Sequence, residues 1–484
     1  ASAGELAEVR GAHWRVEIGA LTDLAGKQAN SPALLFDDIP DYPRGYPTHD
    51  QRFAGRTSPE KRQDIAAKLN ADGYDAAIIS DPSSIAWLFN IRGADVARTP
   101  LPLSFAIAAR DGTTTLFIDP RKLLPETRQH LGNAVRVERP EAFAQGLEAL
   151  KGKRVLVDAA SAGAAVFDRL AKAGAKPVLG EDPCALPKAV KNAVELDGAR
   201  AAHRRDGAAL CRFLAWLMPR ALAGNVDELI AAATLESFRR EGANFRDLSF
   251  DTIAGAAANG AIVHYRSTAA TNRRLEPGML FLLDSGAQYL DGTTDVTRTL
   301  AIGPPTPEMR DRFTRVLKGH IAVATARFPK GTTGSQLDPL ARRALWDAGL
   351  DFDHGTGHGV GSYLAVHEGP HRISKVPNTV ALQPGMIVSN EPGYYKTGAY
   401  GIRVENLVTV IAAPRPADAD RDFLGFETLT LCPIDLALVD PAMLSAGESA
   451  WLDAYHASVR ATISPLVDAE TKKWIEGATR KLLA

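Results

Sequence analysis

The run Leu282-Leu283-Asp284-Ser285-Gly286-Ala287-Gln288-Tyr289, continued by Asp291-Gly292-Thr293-Thr294-Asp295-Val296-Thr297-Arg298-Thr299, decides how this chain is read. Apolar residues lead into Asp284 and set a carboxylate at the end of a buried strand. Asp295 opens a second β-rich run, Val296 to Ile302, and Asp291-Gly292 marks a turn between the two. One reading is a plain hairpin with two solvated aspartates. Two acids on an inner face would instead repel and resist desolvation, and a cation is the natural compensation. Register bears on the choice. A two-residue turn at Asp291-Gly292 pairs Asp295 with Gln288, roughly 13 Å along the strand from Asp284. A shared metal then requires a wider or bulged turn that brings Asp284 opposite Asp295.

Composition narrows the class. A chain of 484 residues exceeds one ordinary core, so two or three domains are expected. Hydrophobic residues make up 45% and charged residues 23%, with a net charge of −1. That balance gives no pull towards nucleic acid or an anionic membrane. No apolar run reaches the length of a membrane span, and the start of the chain lacks a basic-then-apolar leader pattern. Cys184, Cys211 and Cys432 are few and scattered, which argues against a disulfide framework and fits a reducing, cytoplasmic setting.

Residues 1–50 differ from the rest. Arg15 to Leu21 reads as a short strand entering a helix and Ala33 to Phe36 as a strand, before Pro40, Pro43, Gly45 and Pro47 interrupt regular structure. Residues 51–182 read as a compact mixed α/β domain. Ser58 is the expected N-cap of its first helix, with Pro59 at the first position. Strands are expected at 75–80, 104–109, 113–118 and 154–158, and a helix at 83–88. From 183 onward, Ala189 to Leu222 reads as a long helix that Pro219 should kink or break in its last turn, and Asp227 to Arg240 as a second helix. A β-rich stretch follows to Ile302. Further helices are expected at 310–327 and 336–348, strands at 386–390 and 402–411, and a tail of helices containing Trp451, Tyr455 and Trp474.

More candidate ligands lie downstream. His354-Gly355-Thr356-Gly357-His358-Gly359-Val360-Gly361 places two imidazoles in a glycine-rich loop, where backbone can approach a site closely, and His367 follows. A lone histidine is more often a core or surface residue. Here several cluster. Ser389-Asn390-Glu391-Pro392-Gly393 ends a strand on a carboxylate. Arg403-Val404-Glu405-Asn406 places Glu405 inside an apolar strand, with Arg403 on the same face as a structural partner or as a brace for a metal-binding acid. Four carboxylates with an imidazole favour Mn²⁺, Mg²⁺ or a similar ion, shifted towards a transition metal by the histidine. They exceed the needs of one catalytic ion and suit two that share carboxylates and a hydroxide.

The order and spacing of Asp284, Asp295, His358, Glu391 and Glu405 resemble the pita-bread metallopeptidases, which include methionine aminopeptidases, prolidases and Xaa-Pro aminopeptidases. Asp284 to Tyr289, Asp291 to Thr299, Gly355 to Ser362 with Val366-His367-Glu368-Gly369-Pro370, and Asn390 to Tyr395 look like the cytosolic Xaa-Pro aminopeptidase branch. The likeness runs from about Arg52 to the C-terminus, through Ile85 to Gly93 and Cys432-Pro433-Ile434-Asp435. It implies an α/β (α+β) protein: a creatinase-N-like α/β domain over 51–182, then a pita-bread catalytic domain over 183–484. That second domain would have a pseudo-symmetric curved antiparallel sheet flanked by helices, with a C-terminal extension from about 420.

The resemblance also implies two divalent ions, Mn²⁺ first with Zn²⁺ or Co²⁺ as alternatives, and a bridging hydroxide that attacks the carbonyl before proline. Asp284 and Asp295 would bind one ion. Asp295 would bridge to the second with Glu405, and His358 and Glu391 would complete its shell. Glu391 would shuttle the proton, and His264 would stabilise substrate or the tetrahedral oxyanion. His354 and His367 would line the pocket, and Arg403 would brace the acids. Tyr395 is assigned to core packing. The implied partners are peptides with proline at position two, with no nucleic acid and no membrane.

Residues 1–50 weakly resemble the opening of UbiD-type decarboxylases, in Val16 to Ala20, Pro32 to Phe36 and Tyr42 to Tyr46. They stand where three-domain relatives carry another domain, which leaves homodimer formation open. It also keeps two alternatives: a prolidase acting on dipeptides, or a catalytically impaired binding or assembly protein.

Overall fold

The computed structural model describes residues 6–10, 33–37, 45–415 and 417–482. The decarboxylase-like stretches at 16–20 and 42–44, and the strand and helix expected at 15–21, lie outside the described residues. Strand β1 (Leu6–Arg10) pairs in parallel with β2 (Ala33–Asp37), which includes the strand expected from Ala33.

The next unit is a mixed six-stranded sheet built from β3 (Ala76–Ile79), β4 (Phe105–Ala109), β5 (Thr114–Phe117), β6 (Val135–Glu138), β7 (Arg154–Val157) and β8 (Lys176–Leu179), in the order β6-β5-β4-β3-β7-β8. Successive side chains of a strand point to opposite faces, and both faces are covered. Ala77 and Ile79 pack with Leu69, Ile85, Leu88 and Leu116, while Ala76 and Ile78 pack with Val155, Val157 and Leu170. Helix α1 (Ser58–Ala71) starts at the residue expected to cap it, one position earlier than expected. Thr57, not Ser58, is the N-cap, because Glu60 closes a capping box with it. Helix α2 (Pro82–Phe89) follows β3.

Helix α3 (Ala193–Leu222) contains Pro219 in its last turn and continues to Leu222, about 45 Å in all. The expected start at Ala189 is corrected: a short helix ends there, and Asn192 caps α3 through a box with Glu195. Helix α4 (Glu228–Arg240) packs on it.

Three antiparallel sheets and a two-stranded ribbon then wrap the candidate site. Strands β9 (Phe245–Leu248), β10 (Ile253–Ala256), β11 (Met279–Ser285), β12 (Ala287–Tyr289), β13 (Gly292–Thr293) and β14 (Val296–Ile302) form the orders β10-β11-β14 and β13-β12-β9. Strands β15 (Phe328–Pro329), β16 (Gly357–Gly359), β17 (Glu368–Ile373), β18 (Ile387–Asn390), β21 (Asn406–Ala412) and β22 (Phe423–Thr428) form the order β15-β22-β21-β18-β16-β17, while β19 (Gly393–Lys396) pairs with β20 (Tyr400–Arg403). Helices α5 (Pro307–Ala324), α6 (Gly334–Trp346), α7 (Ala446–Ile463) and α8 (Ala469–Ala478) flank them over a core that includes Phe313, Leu317, Val388, Val408 and Val459.

Two expectations are corrected here. The glycine-rich stretch around His358 is a strand, β16, rather than a loop. The single strand expected from Ile402 to Ile411 is two strands in different sheets, and Glu405 sits at the break between them. All three cysteines are free and buried. Among the described residues, no helix is long and apolar enough to cross a membrane.

Candidate metal centre and active site

The hairpin register answers the question the sequence left open. Gln288 pairs with Thr293 and Tyr289 with Gly292, so the turn is Leu290-Asp291, one residue earlier than expected. Asp284 then pairs with Thr297, and Ser285 with Val296, the residue after Asp295. Asp284 and Asp295 are therefore diagonal neighbours on one face, and the wider turn expected for metal sharing is unnecessary. Close packing explains the shift. A Cβ on Gly292 would stand 3.1 Å from the Ala202 Cβ of α3, and one on Gly198 of α3 would stand 2.4 Å from the Asp291 carbonyl oxygen. The glycine serves contact with the helix, not the turn.

Asp284, Asp295, His358, Glu391, Glu405, His264, His354, His367 and Arg403 all line one cleft of about 590 Å³. They come from separate elements: Asp284 from β11, Asp295 from the entry to β14, His358 from β16, Glu391 from the end of β18, and Glu405 from the β20–β21 break. Asp295, His358 and Glu405 each offer a ligand atom within 4.8 Å of the others. His358 Nε2 stands 3.5 Å from Asp295 Oδ2 and 3.5 Å from Glu391 Oε1. Its Nδ1 lies 2.9 Å from the Gly359 carbonyl oxygen. A carbonyl only accepts, so the ring proton belongs on Nδ1 and the Nε2 lone pair faces the acids.

The acids are costly as they stand. Asp284, Asp295 and Glu405 are 8%, 4% and 1% exposed. Burial first, then the charges of Asp284 and Glu391, hold the Asp295 carboxyl well above its ordinary range. Glu405 is raised in the same way by burial and then by Asp295, although Thr297 Oγ1 donates to its Oε2 at 2.6 Å. Burial also raises Glu391, against the pull of His358 and Arg403. Asp284 Oδ1 is buried with no hydrogen-bond partner. Buried oxygen donors of one sign, an unpartnered carboxylate oxygen and a lone pair aimed among them fit hard or borderline divalent cations.

Arg403 organises the far wall. Its Nη2 donates to Asp284 Oδ2 at 2.6 Å, its Nε to Thr297 Oγ1 at 3.1 Å and its Nη1 to the Tyr395 hydroxyl at 2.6 Å. The ion pair of Arg403 is with Asp284 rather than Glu405, a contact that fits a structural partner and a brace alike. Tyr395, assigned to core packing, does pack against the core, and its hydroxyl in addition joins Arg403 to His354 Nε2 at 2.8 Å. His354 Nδ1 lies 2.8 Å from the Gly355 carbonyl oxygen, so the proton is there and the Tyr395 O–H donates to Nε2. Burial, with Arg403 nearby, pulls His354 down to about 4, while burial pushes Tyr395 up to about 12 against the opposing pull of Arg403. His264 and His367 are exposed to the cleft, and the His367 ring centroid lies 4.3 Å from that of His358. Phe250, Ile253, Val263 and Val376 supply an apolar wall that the sequence reading did not select, because nothing in their local pattern separates them from ordinary core residues.

Comparison with known proteins agrees with this geometry. Residues 197–412 match metallopeptidase family M24, residues 40–195 match the creatinase/prolidase N-terminal domain, and residues 422–482 match the C-terminal region of peptidase M24. A protein of Laccaria bicolor named "Probable Xaa-Pro aminopeptidase P" is 42% identical over 91% of this chain and 70% of its own. Aminopeptidase P2 of Arabidopsis thaliana is 41% identical over 90% of this chain and 66% of its own. The crystal structure of an X-prolyl aminopeptidase from Caenorhabditis elegans, described as a cytosolic enzyme with a di-nuclear active site, superimposes with a TM-score of 0.87 and 32% identity, covering 98% of this chain and 81% of that one. With the pita-bread sheet, the converging acids and histidine and these matches in hand, the chain belongs to metallopeptidase family M24.

Proposed function

We propose that this chain is a metal-dependent aminopeptidase that hydrolyses the first peptide bond of substrates with proline at position two. The observation that carries the reading is the convergence of four carboxylates and one imidazole, from five separate elements, on one cleft. The ligand assignment is part of the proposal. Asp284 and Asp295 hold one ion, Asp295 and Glu405 face both, and His358 and Glu391 complete the second. Mn²⁺ is the first candidate, with Zn²⁺ and Co²⁺ next. So is the division into residues 1–50, a middle domain over 51–182 and a catalytic domain over 183–484.

Such ions, when bound, polarise a carbonyl and lower the pKa of water towards neutrality. The chain's own residues do the rest. Glu391, held by Ser389 Oγ donating to its Oε1 at 3.0 Å, is the group that takes a proton from water and returns it to the proline nitrogen. His264 and His367 face the cleft and hold the substrate carbonyl region. Arg403, paired with Asp284 at 2.6 Å, keeps that side chain oriented. The apolar wall of Phe250 and Val376 offers a surface for a pyrrolidine ring. An Xaa-Pro bond has no N–H, so a site that grips carbonyl and amine rather than N–H suits it.

The test compares Mn²⁺-loaded protein on an Xaa-Pro-Xaa tripeptide, an Xaa-Pro dipeptide and a tripeptide lacking proline. Release of the first residue from the proline tripeptide is expected, and Asp295→Ala abolishes it. Cleavage of the dipeptide alone makes the protein a prolidase. Folded, metal-loaded protein that cleaves none of the three overturns the reading.

A further inference from the structure

The segment Ser362 to Glu368 runs between β16, which carries His358, and β17, and it places His367 at the cleft. It is tethered from outside at every turn. Arg92, in the loop after α2, is 4% exposed. Its Nε donates to the Tyr363 carbonyl at 2.6 Å, Nη2 to the Ser362 carbonyl at 3.2 Å, and Nη1 to the Ala86 and Ile91 carbonyls at 3.0 Å each. One buried guanidinium thus spends its planar fork on four carbonyl oxygens, two in its own unit and two beside the active site. Gln288 of the central hairpin donates from Nε2 to the Leu364 carbonyl at 2.8 Å, with its Oε1 fixed by Thr293 Oγ1 at 2.7 Å. At the far end, the fully buried Glu368 carboxylate lies 3.1 Å from Lys188 Nζ and pairs also with Lys191, both on the stretch joining the N-terminal sheet to α3. Tyr363 sits at φ +50°, a left-handed conformation that side chains hold only where their surroundings dictate it.

A surface loop has no need of this many buried tethers. What they deliver is the one exposed side chain among them, His367, whose ring lies against His358. We propose that Arg92, Gln288 and the Lys188–Glu368–Lys191 clamp are positioning residues that aim His367 at the substrate, so that the N-terminal sheet unit contributes to the reaction through this backbone segment. The proposal rests on the peptidase reading of the cleft. It differs from simple gluing of the two units in one measurable respect: the effect of Arg92 on catalysis passes through His367.

A double-mutant cycle tests this on the full-length, Mn²⁺-loaded protein with a proline tripeptide. Arg92→Lys keeps the charge and loses the fork. It is expected to lower kcat/KM on the order of 10- to 100-fold, the scale of a misplaced catalytic contact, with metal content unchanged. Made in a His367→Ala background, the same substitution is expected to change kcat/KM by less than about twofold, while lowering the melting temperature equally in both backgrounds. Should Arg92→Lys fail to fold, Gln288→Met enters the same cycle. Equal fold-losses in both backgrounds, or wild-type kcat/KM in the single variant, overturn the proposal and leave the peptidase reading standing. Wild-type protein that cleaves no peptide overturns the peptidase reading and this proposal with it.

Discussion

Replacing Arg403 with methionine separates the two ways this site can balance its charge. Arg403 is 2% exposed, and its guanidinium reaches Asp284 at 2.6 Å, Thr297 at 3.1 Å and Tyr395 at 2.6 Å. Methionine fills much of the stem volume and removes every donor. Three lost neutral hydrogen bonds would cost about 1 kcal/mol each. Leaving a buried carboxylate without its cation costs about 3–5 kcal/mol, and that is the governing figure because Asp284 then faces Asp295, Glu391 and Glu405. For a domain of this size each kcal/mol moves Tm by roughly 2–4 °C, so a fall on the order of 10 °C is expected in metal-free protein. On the proposed ligand assignment, bound divalent ions would neutralise the same carboxylates, so the fall is expected to be smaller in Mn²⁺-loaded protein. Scanning calorimetry on wild type and Arg403→Met, each with chelator and with Mn²⁺, reads both quantities. A metal-free variant melting within about 2 °C of wild type, or an equal loss with and without metal, refutes the charge-compensation argument.

Other perturbations follow from the same geometry. Tyr395→Phe removes the hydroxyl that joins Arg403 to His354. It is expected to cost about 1–3 kcal/mol by denaturant titration and to lower kcat while two ions per chain remain bound. Gly357→Ala puts a Cβ 1.9 Å from the Ser389 carbonyl oxygen, forcing β16 away from β18. A stability loss of about 1–3 kcal/mol and weaker metal binding by titration calorimetry are expected. His456 accepts the Ile434 N–H at Nε2, and burial followed by the Arg298 charge pulls its pKa down to about 4. The unfolded histidine, with a pKa near 6.5, takes a proton that the folded one refuses. Stability is therefore complete above about pH 6.5 and falls towards pH 4, by up to about 1.4 kcal/mol per unit. His456→Gln should flatten that slope in urea titrations across the window.

Much of this was readable from the chain. The four acids and His358 stood out because a carboxylate at the end of an apolar run is expensive without a partner, and four such residues recur with a histidine among glycines. The register misled because Asp-Gly usually marks a turn, whereas Gly292 is needed to let the hairpin touch α3. The Thr57 cap was within reach, since Thr57 and Glu60 have capping-box spacing. Glu405 was placed within a strand because Val404 to Ile411 is otherwise mostly apolar, and only tertiary pairing splits the run from Ile402 to Ile411 between two sheets. Tyr395 and Arg92 lie in family-like stretches, but nothing local in them gave their contacts. Their partners lie up to 41 and 271 residues away in sequence, so their roles exist only once the chain is folded.

The decisive measurement is anomalous diffraction from crystals grown with Mn²⁺. Two peaks per chain are predicted, both in the cleft, touching Asp284, Asp295, His358, Glu391 and Glu405. No peak there, a single peak, or ions bound at other residues would contradict the account.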